Sequence, residues 1–140
     1  MRILGLDLGT KSLGIAVSDE THSFSLPLKT IKFQNYEESL DEIKKIIKEK
    51  NIGLIVLGLP KNMDSSLGFA AKRSEEYKEF LERNTNLTVE LIDERLSTVE
   101  AEKILLNEDM SRKKRKKYID SIAASVILDT YLKRKDKYGE

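Results

Sequence analysis

Two short apolar runs open the chain, Ile3-Leu4-Gly5-Leu6 and Leu13-Gly14-Ile15-Ala16-Val17, separated by Gly9-Thr10-Lys11-Ser12. Two runs of this length joined through a glycine-containing turn predict a β-hairpin over residues 2–8 and 13–19. A third strand is predicted near Ser25 to Lys32, and Pro27 puts it at a sheet edge because proline has no N–H to give to the ladder. At Tyr36 the period changes. Tyr36, Leu40, Ile43 and Ile47 recur at helical spacing, with Glu37, Glu38, Asp41, Lys44, Lys45 and Lys48 on the other faces, so residues 36–50 are expected to form an amphipathic helix.

Ile52 to Gly58 is continuously apolar, too short for a free-standing helix and stopped by Pro60, which is the pattern of a buried central strand. A polar loop through Asn62, Asp64 and Ser65 leads to a second helix near residues 67–84, with Phe69, Ala70, Tyr77, Phe80 and Leu81 toward the core. Leu87 to Ile92 reads as a fifth strand. Ser97 and Glu100 have capping-box spacing, which starts a helix directly after Glu94-Arg95-Leu96 and carries it to about Asn107. Beyond a polar, basic stretch from Glu108 to Lys117, a last helix presents Ile119, Ile122, Ala123, Val126, Ile127 and Tyr131 on one face. With no repeat and no linker, residues 1–140 are expected to form one α/β domain, a mixed five-stranded sheet flanked by helices. Right-handed crossovers would make strands one, four and five parallel, and ligands of such sheets bind at the carboxyl edge of the parallel strands.

Composition narrows the chemistry available at that edge. No cysteine is present and His22 is the single histidine, which excludes a disulfide framework, a thiolate zinc site, a cysteine nucleophile and a histidine metal cluster. No stretch approaches the ~18 apolar residues of a membrane helix. The N-terminus meets Asp7 too early for a secretory signal, so a cytoplasmic protein without a membrane partner is expected. The formal net charge of +1 conceals an asymmetry. Residues 1–110 hold 15 basic and 20 acidic side chains, net −5, and residues 111–140 hold 10 basic and 4 acidic, net +6. A basic segment on an acidic body suggests a polyanionic partner.

Three acids from distant parts of the chain are expected at the searched edge. Asp7 ends strand one, Glu94 follows strand five beside Asp93, and Asp120 is expected at the start of the last helix, where Ala123 and Ala124 would let that helix approach the sheet closely. Each alone has an ordinary explanation: a strand-end aspartate is often a turn former, and a helix-start carboxylate is favoured by the macrodipole. Together they would repel and raise one another's pKa unless a cation sat among them. With oxygen donors only, that cation would be Mg²⁺ or Mn²⁺. Gly58, at the end of strand four, would leave room for ions or a phosphate.

These residues resemble the YqgF family of bacterial RNase H-like proteins, related to RuvC-type resolvases. The resemblance is carried by Gly5-Leu6-Asp7-Leu8-Gly9-Thr10-Lys11-Ser12-Leu13-Gly14-Ile15-Ala16-Val17-Ser18-Asp19, by Gly58-Leu59-Pro60, by Asp93-Glu94-Arg95-Leu96-Ser97-Thr98, and by Arg112-Lys113-Lys114-Arg115-Lys116 leading to Asp120-Ser121-Ile122-Ala123-Ala124. Four blocks in order over essentially the whole chain are specific together, although each is weak alone. Ser65 departs from the glycine expected after Asn-Met-Asp, which bears on the turn of that loop.

The resemblance implies a three-layer RNase H-like fold and a metal-dependent nuclease, either processing the 5′ end of precursor 16S ribosomal RNA or resolving Holliday junctions. It implies Asp7, Glu94 and Asp120 as catalytic, metal-holding acids, with Asp7 the shared ligand of two Mg²⁺ or Mn²⁺ ions. Lys11 and Arg95 are candidates for phosphate contacts, and Arg112, Lys113, Lys114, Arg115, Lys116 and Lys117 for guiding the nucleic-acid backbone. The implied partners are precursor ribosomal RNA, branched or single-stranded DNA, and ribosomal assembly factors. Two other readings compete. Asp7-Leu8-Gly9-Thr10-Lys11 also resembles the phosphate hairpin of actin-like ATPases, but one lobe and no second phosphate loop weigh against nucleotide clamping. A non-catalytic RNA-binding module would use the basic run and not the acids.

Overall fold

The structure is a computed structural model that describes residues 1–59, 68–93 and 112–137, without the side chains of 69–70, 112–118 and 135–137. Its strands are β1 (Arg2–Leu8), β2 (Ser12–Ser18), β3 (Ser25–Lys32), β4 (Ile52–Leu59) and β5 (Val89–Asp93). The helices are α1 (Tyr36–Lys50), α2 (Phe69–Thr85) and α3 (Arg112–Lys137). One sheet has the order β3-β2-β1-β4-β5. β1 pairs antiparallel with β2 and β2 with β3, while β1 with β4 and β4 with β5 are parallel, as the crossovers require. Pro27 lies in β3 at the sheet edge, where its missing N–H costs least.

Strand alternation divides the core in two. Leu4, Leu6, Leu8, Leu13, Ile15, Ile55 and Leu57 face α1 and α2, packing with Leu40, Ile43, Ile46, Tyr77 and Leu81. On the opposite face Ile3, Ala16, Val56 and Ile92 pack against Ala124, Ile127, Leu128 and Leu132 of α3. Among the described residues the result is three layers, with α1 and α2 on one face of the sheet and the long α3 on the other. α1 keeps the expected limits because both ends are capped. Asn35 accepts from the Glu38 amide at 3.1 Å, and Asn51 closes the C-terminus in a left-handed conformation, φ 56°.

The last helix departs from its expected limits in two respects. It starts at Arg112, so the basic run forms its first two turns and Asp120 stands in the third, well inside the helix. Lys and Arg are good helix formers, and no glycine or proline separates them from Asp120. Its buried face is also rotated. Ser121, Ala124, Leu128 and Leu132 are buried beside Ala123 and Ile127, whereas Ile119, Ile122, Val126 and Tyr131 are only half-buried.

α3 is clasped to the edge strand by Ser25. The Ser25 hydroxyl meets both Asp129 Oδ1 and the Ser125 carbonyl at 2.8 Å, and its amide donates to Asp129 Oδ1 at 3.1 Å. On the other face the Ser39 hydroxyl donates to the Tyr36 carbonyl, so the Tyr77 phenol, 2.7 Å away, donates to Ser39. Burial pushes the Tyr77 phenol well above its usual range. Ser39→Ala is therefore expected to cost about 1–3 kcal/mol in urea denaturation by stranding a buried hydroxyl. Tyr77→Phe should cost no more than that, since Ser39 keeps its bond to Tyr36; a larger loss for Tyr77→Phe would refute this ordering.

Candidate nuclease active site

The hairpin β1–β2 builds the centre of the site. Gly9 closes its turn by donating to the Ser12 carbonyl at 2.8 Å, and the Phe33 amide donates to the Lys11 carbonyl at 3.0 Å, bringing the end of β3 alongside. In the β1–β2 register Asp7 lies directly opposite Gly14. Residues opposed in this way, and residues two apart in a strand, share a face of the sheet. Gly5, Asp7 and Gly14 therefore all look toward α3.

Both glycines are needed for that approach. A Cβ on Gly5 would lie 2.9 Å from the Leu128 Cβ and 3.1 Å from the Ala124 carbonyl oxygen, and one on Gly14 only 2.0 Å from the Asp120 carbonyl oxygen. The backbone of α3 at Asp120 thus rests directly on β2 beside Asp7. The Ser12 hydroxyl donates to Asp120 Oδ2 at 3.1 Å across 108 residues of sequence. Asp7, Ser12 and Asp120 are each half-buried at the carboxyl edge of β1, open to solvent on one side.

Of the sequence-derived candidates, Asp7 and the backbone of Asp120 lie on the same face of the sheet, Asp7 opposite Gly14 and Asp120 against it. Lys11 is exposed on the turn between β1 and β2, close to the same edge. Arg112 to Lys117 occupy the first two turns of α3, immediately before Asp120. Glu94 and Arg95 lie outside the described residues, as do Pro60, the loop through Asn62, Asp64 and Ser65, and the helix expected from Ser97 to Asn107. Asp93 pairs with Leu59 at the same edge, but alternation from Ile92, which packs under α3, turns it to the α1–α2 face. Among the described residues no group of three or more Asp, Glu or His side chains gathers as metal ligands. Nor is any helix among them long and apolar enough to cross a membrane.

Sequence reading missed Gly5, Gly14 and Ser12 as parts of this site. Glycine inside an apolar strand signals a close backbone neighbour, so the first two left a trace. Ser12 left none, since its partner is 108 residues away.

Solved structures of similar architecture include junction resolvases. The chain superposes on Thermus thermophilus RuvC in complex with a Holliday junction substrate with TM-score 0.62 and 12% identity, over 98% of this chain and 96% of that one. It superposes on the fowlpox virus Holliday junction resolvase with TM-score 0.56 and 19% identity, over 96% and 99%. The class of protein is thus one with a RuvC-like RNase H fold. More specifically, the chain belongs to the RuvX (YqgF) family, described as "RuvX: Holliday junction resolvase", whose model matches residues 1–134. It is 44% identical over 137 residues to a Halothermothrix orenii protein named "Putative pre-16S rRNA nuclease", covering 98% of both chains. A Clostridioides difficile protein of the same name is 48% identical over 131 residues, with 94% and 93% covered.

Gly14→Ala is expected to lower stability by about 1–3 kcal/mol in urea denaturation, because the new methyl group meets backbone rather than a flexible side chain. A change below about 0.5 kcal/mol, the level of ordinary surface substitutions, would mean that α3 does not rest on β2 at this point.

Proposed function

We propose that the chain is a divalent-metal-dependent nuclease that hydrolyses phosphodiester bonds in 5′-end processing of precursor 16S ribosomal RNA. The observation that carries this reading is the meeting of Asp7 and Asp120 on one face of the carboxyl edge, at the end of a helix segment that begins with six cations. The residues present fit a hard cation: oxygen donors only, half-buried, with one carboxylate from β1 and one from α3 at the same edge of the sheet. Glu94 follows Asp93 directly in sequence. Because Asp93 faces away, Glu94 is the member of that pair proposed to complete the ligand set.

In this reading Asp7, Glu94 and Asp120 would hold Mg²⁺ or Mn²⁺. When bound, such ions lower the pKa of an attacking water and stabilise charge on the leaving oxygen of a phosphodiester. Lys11 and Arg95 contact the phosphate, and the first turns of α3 bring the backbone in. Cations at a helix N-terminus oppose the macrodipole, and the first turn of α3 holds no acid to offset them. A segment that gives up local stability in this way is expected where a polyanion supplies the missing negative charge. Such an enzyme would work in the cytoplasm, alongside ribosomal assembly factors.

The family description favours a second reading, cleavage of four-way DNA junctions, which would require two copies with paired sites. A cleavage assay in Mn²⁺ on precursor ribosomal RNA, single-stranded DNA and four-way junctions separates the two. Preference for the RNA is the expected result; preference for junctions, by a dimer, would support the second reading.

Asp7→Asn is expected to remove metal-dependent cleavage while leaving RNA binding within about twofold of wild type, a margin below ~0.5 kcal/mol. Full cleavage by this variant would sink the catalytic assignment. Replacing Arg112, Lys113, Lys114, Arg115, Lys116 and Lys117 by glutamine should weaken binding to all sequences alike. It should also flatten the salt dependence, by roughly 0.7 in log–log slope for each phosphate of a single strand that the helix no longer neutralises. A slope equal to that of wild type would discount the basic run.

A further inference from the structure

We infer that Ser12 is a positioning residue for the Asp120 carboxylate, fixing its orientation toward the divalent cation. This inference rests on the metal-site reading of Asp7 and Asp120 given above. An ionised carboxylate only accepts hydrogen bonds, so the 3.1 Å contact is a bond donated by the Ser12 hydroxyl to Asp120 Oδ2. It leaves Oδ1, and the free lone pair of Oδ2, for a cation.

The need for such a bond follows from the torsion of the aspartate side chain. Rotation about its Cβ–Cγ bond is broad, so the backbone contact with Gly14 fixes where Asp120 stands but not how its two oxygens are turned. The hydroxyl that fixes them is itself held. A Cβ on Gly9 would lie 2.8 Å from Ser12 Oγ, so the absence of a side chain at Gly9 makes room for this hydroxyl. The Gly9 amide donates to the Ser12 carbonyl at 2.8 Å and anchors the same residue from its backbone. Ser12 opens β2 two residues before Gly14, on the same face of the sheet, so one strand supplies both the seat and the orientation of Asp120. Groups that hydrogen-bond to ligating carboxylates or imidazoles act in this way at metal sites generally, and their loss lowers metal affinity about 10–100-fold.

Mn²⁺ affinity, measured on the intact chain by isothermal titration calorimetry with thermal unfolding in parallel, tests the inference. Ser12→Ala should weaken Mn²⁺ binding about tenfold, at the lower end of that range because the site is partly open to water. Ser12→Thr, which keeps the donor, should bind within about threefold of wild type, a difference below ~0.7 kcal/mol. In an Asp120→Asn background the Ser12→Ala change should have no further effect, because a residue acting through Asp120 has nothing left to position. A merely structural role would lower the melting temperature of Ser12→Ala and leave the affinity of the folded protein unchanged. That result overturns the inference, as does a loss that persists undiminished in the Asp120→Asn background. If Asp120→Asn itself binds Mn²⁺ as wild type does, the metal-site reading fails and the role of Ser12 fails with it. If Asp120→Asn loses affinity while Ser12→Ala does not, only the role of Ser12 is lost.

Discussion

The site depends on how closely α3 can approach the sheet. A helix packed through ordinary side chains stands about 10 Å from a sheet, too far for its backbone to touch a strand. Here the carbonyl of Asp120 lies where a Cβ of residue 14 would be, and the turn at Ala124 and Leu128 comes nearly as close to Gly5. Two strand glycines, with Ala124 on the helix, remove the intervening atoms. Glycine costs conformational entropy in a strand and contributes no packing of its own. Its presence at positions 5 and 14 makes sense through what it admits, a short aspartate carried to the side of another short aspartate. Aspartate side chains reach only one carbon beyond Cβ, so two of them converge on one ion only when their backbones are this near.

The remaining features of the layer follow from that contact. Ser25 clasps Asp129 and Ser125 further along α3, which fixes the helix toward its far end, while Ser12 and Gly14 fix it at Asp120. Along the same helix Ala124, Ile127 and Leu128 are the apolar side chains that bury its middle against Ile3, Ala16, Val56 and Ile92. The six cations precede the first clasp and lie beyond the apolar part of the helix. Their repulsion, and their conflict with the helix dipole, therefore falls on the segment whose neighbour would be substrate.

The sheet was legible in the sequence almost residue by residue, because strand β4 is continuously apolar, Pro27 marks an edge, and short connections leave few topologies. Helix α1 was legible to its last residue, Lys50, since Asn51 ends it. The start of α3 was not. A run of lysines and arginines looks like a solvated loop by composition, yet these are strong helix formers, and propensity decided the outcome where no glycine or proline intervened. The face of α3 was misjudged for a related reason. Large apolar residues at 119, 122 and 126 suggested a buried stripe, but a close helix–sheet contact buries the small side chains, and here Ser121 and Ala124 took that place. Of the candidate site, the placement of Asp7 at the end of β1, just before Gly9, and of Asp120 shortly before Ala123 and Ala124 was readable. The Ser12 bond was not, because a contact spanning 108 residues leaves no local signature.

The most direct test of a site built on this contact is the position of Mn²⁺, located by anomalous scattering in crystals of the wild-type chain. A peak within ligand distance of both Asp7 and Asp120, on the α3 face at the carboxyl edge of β1, is the expected result. A peak on the opposite face beside Asp93, or one that touches neither Asp7 nor Asp120, would contradict it.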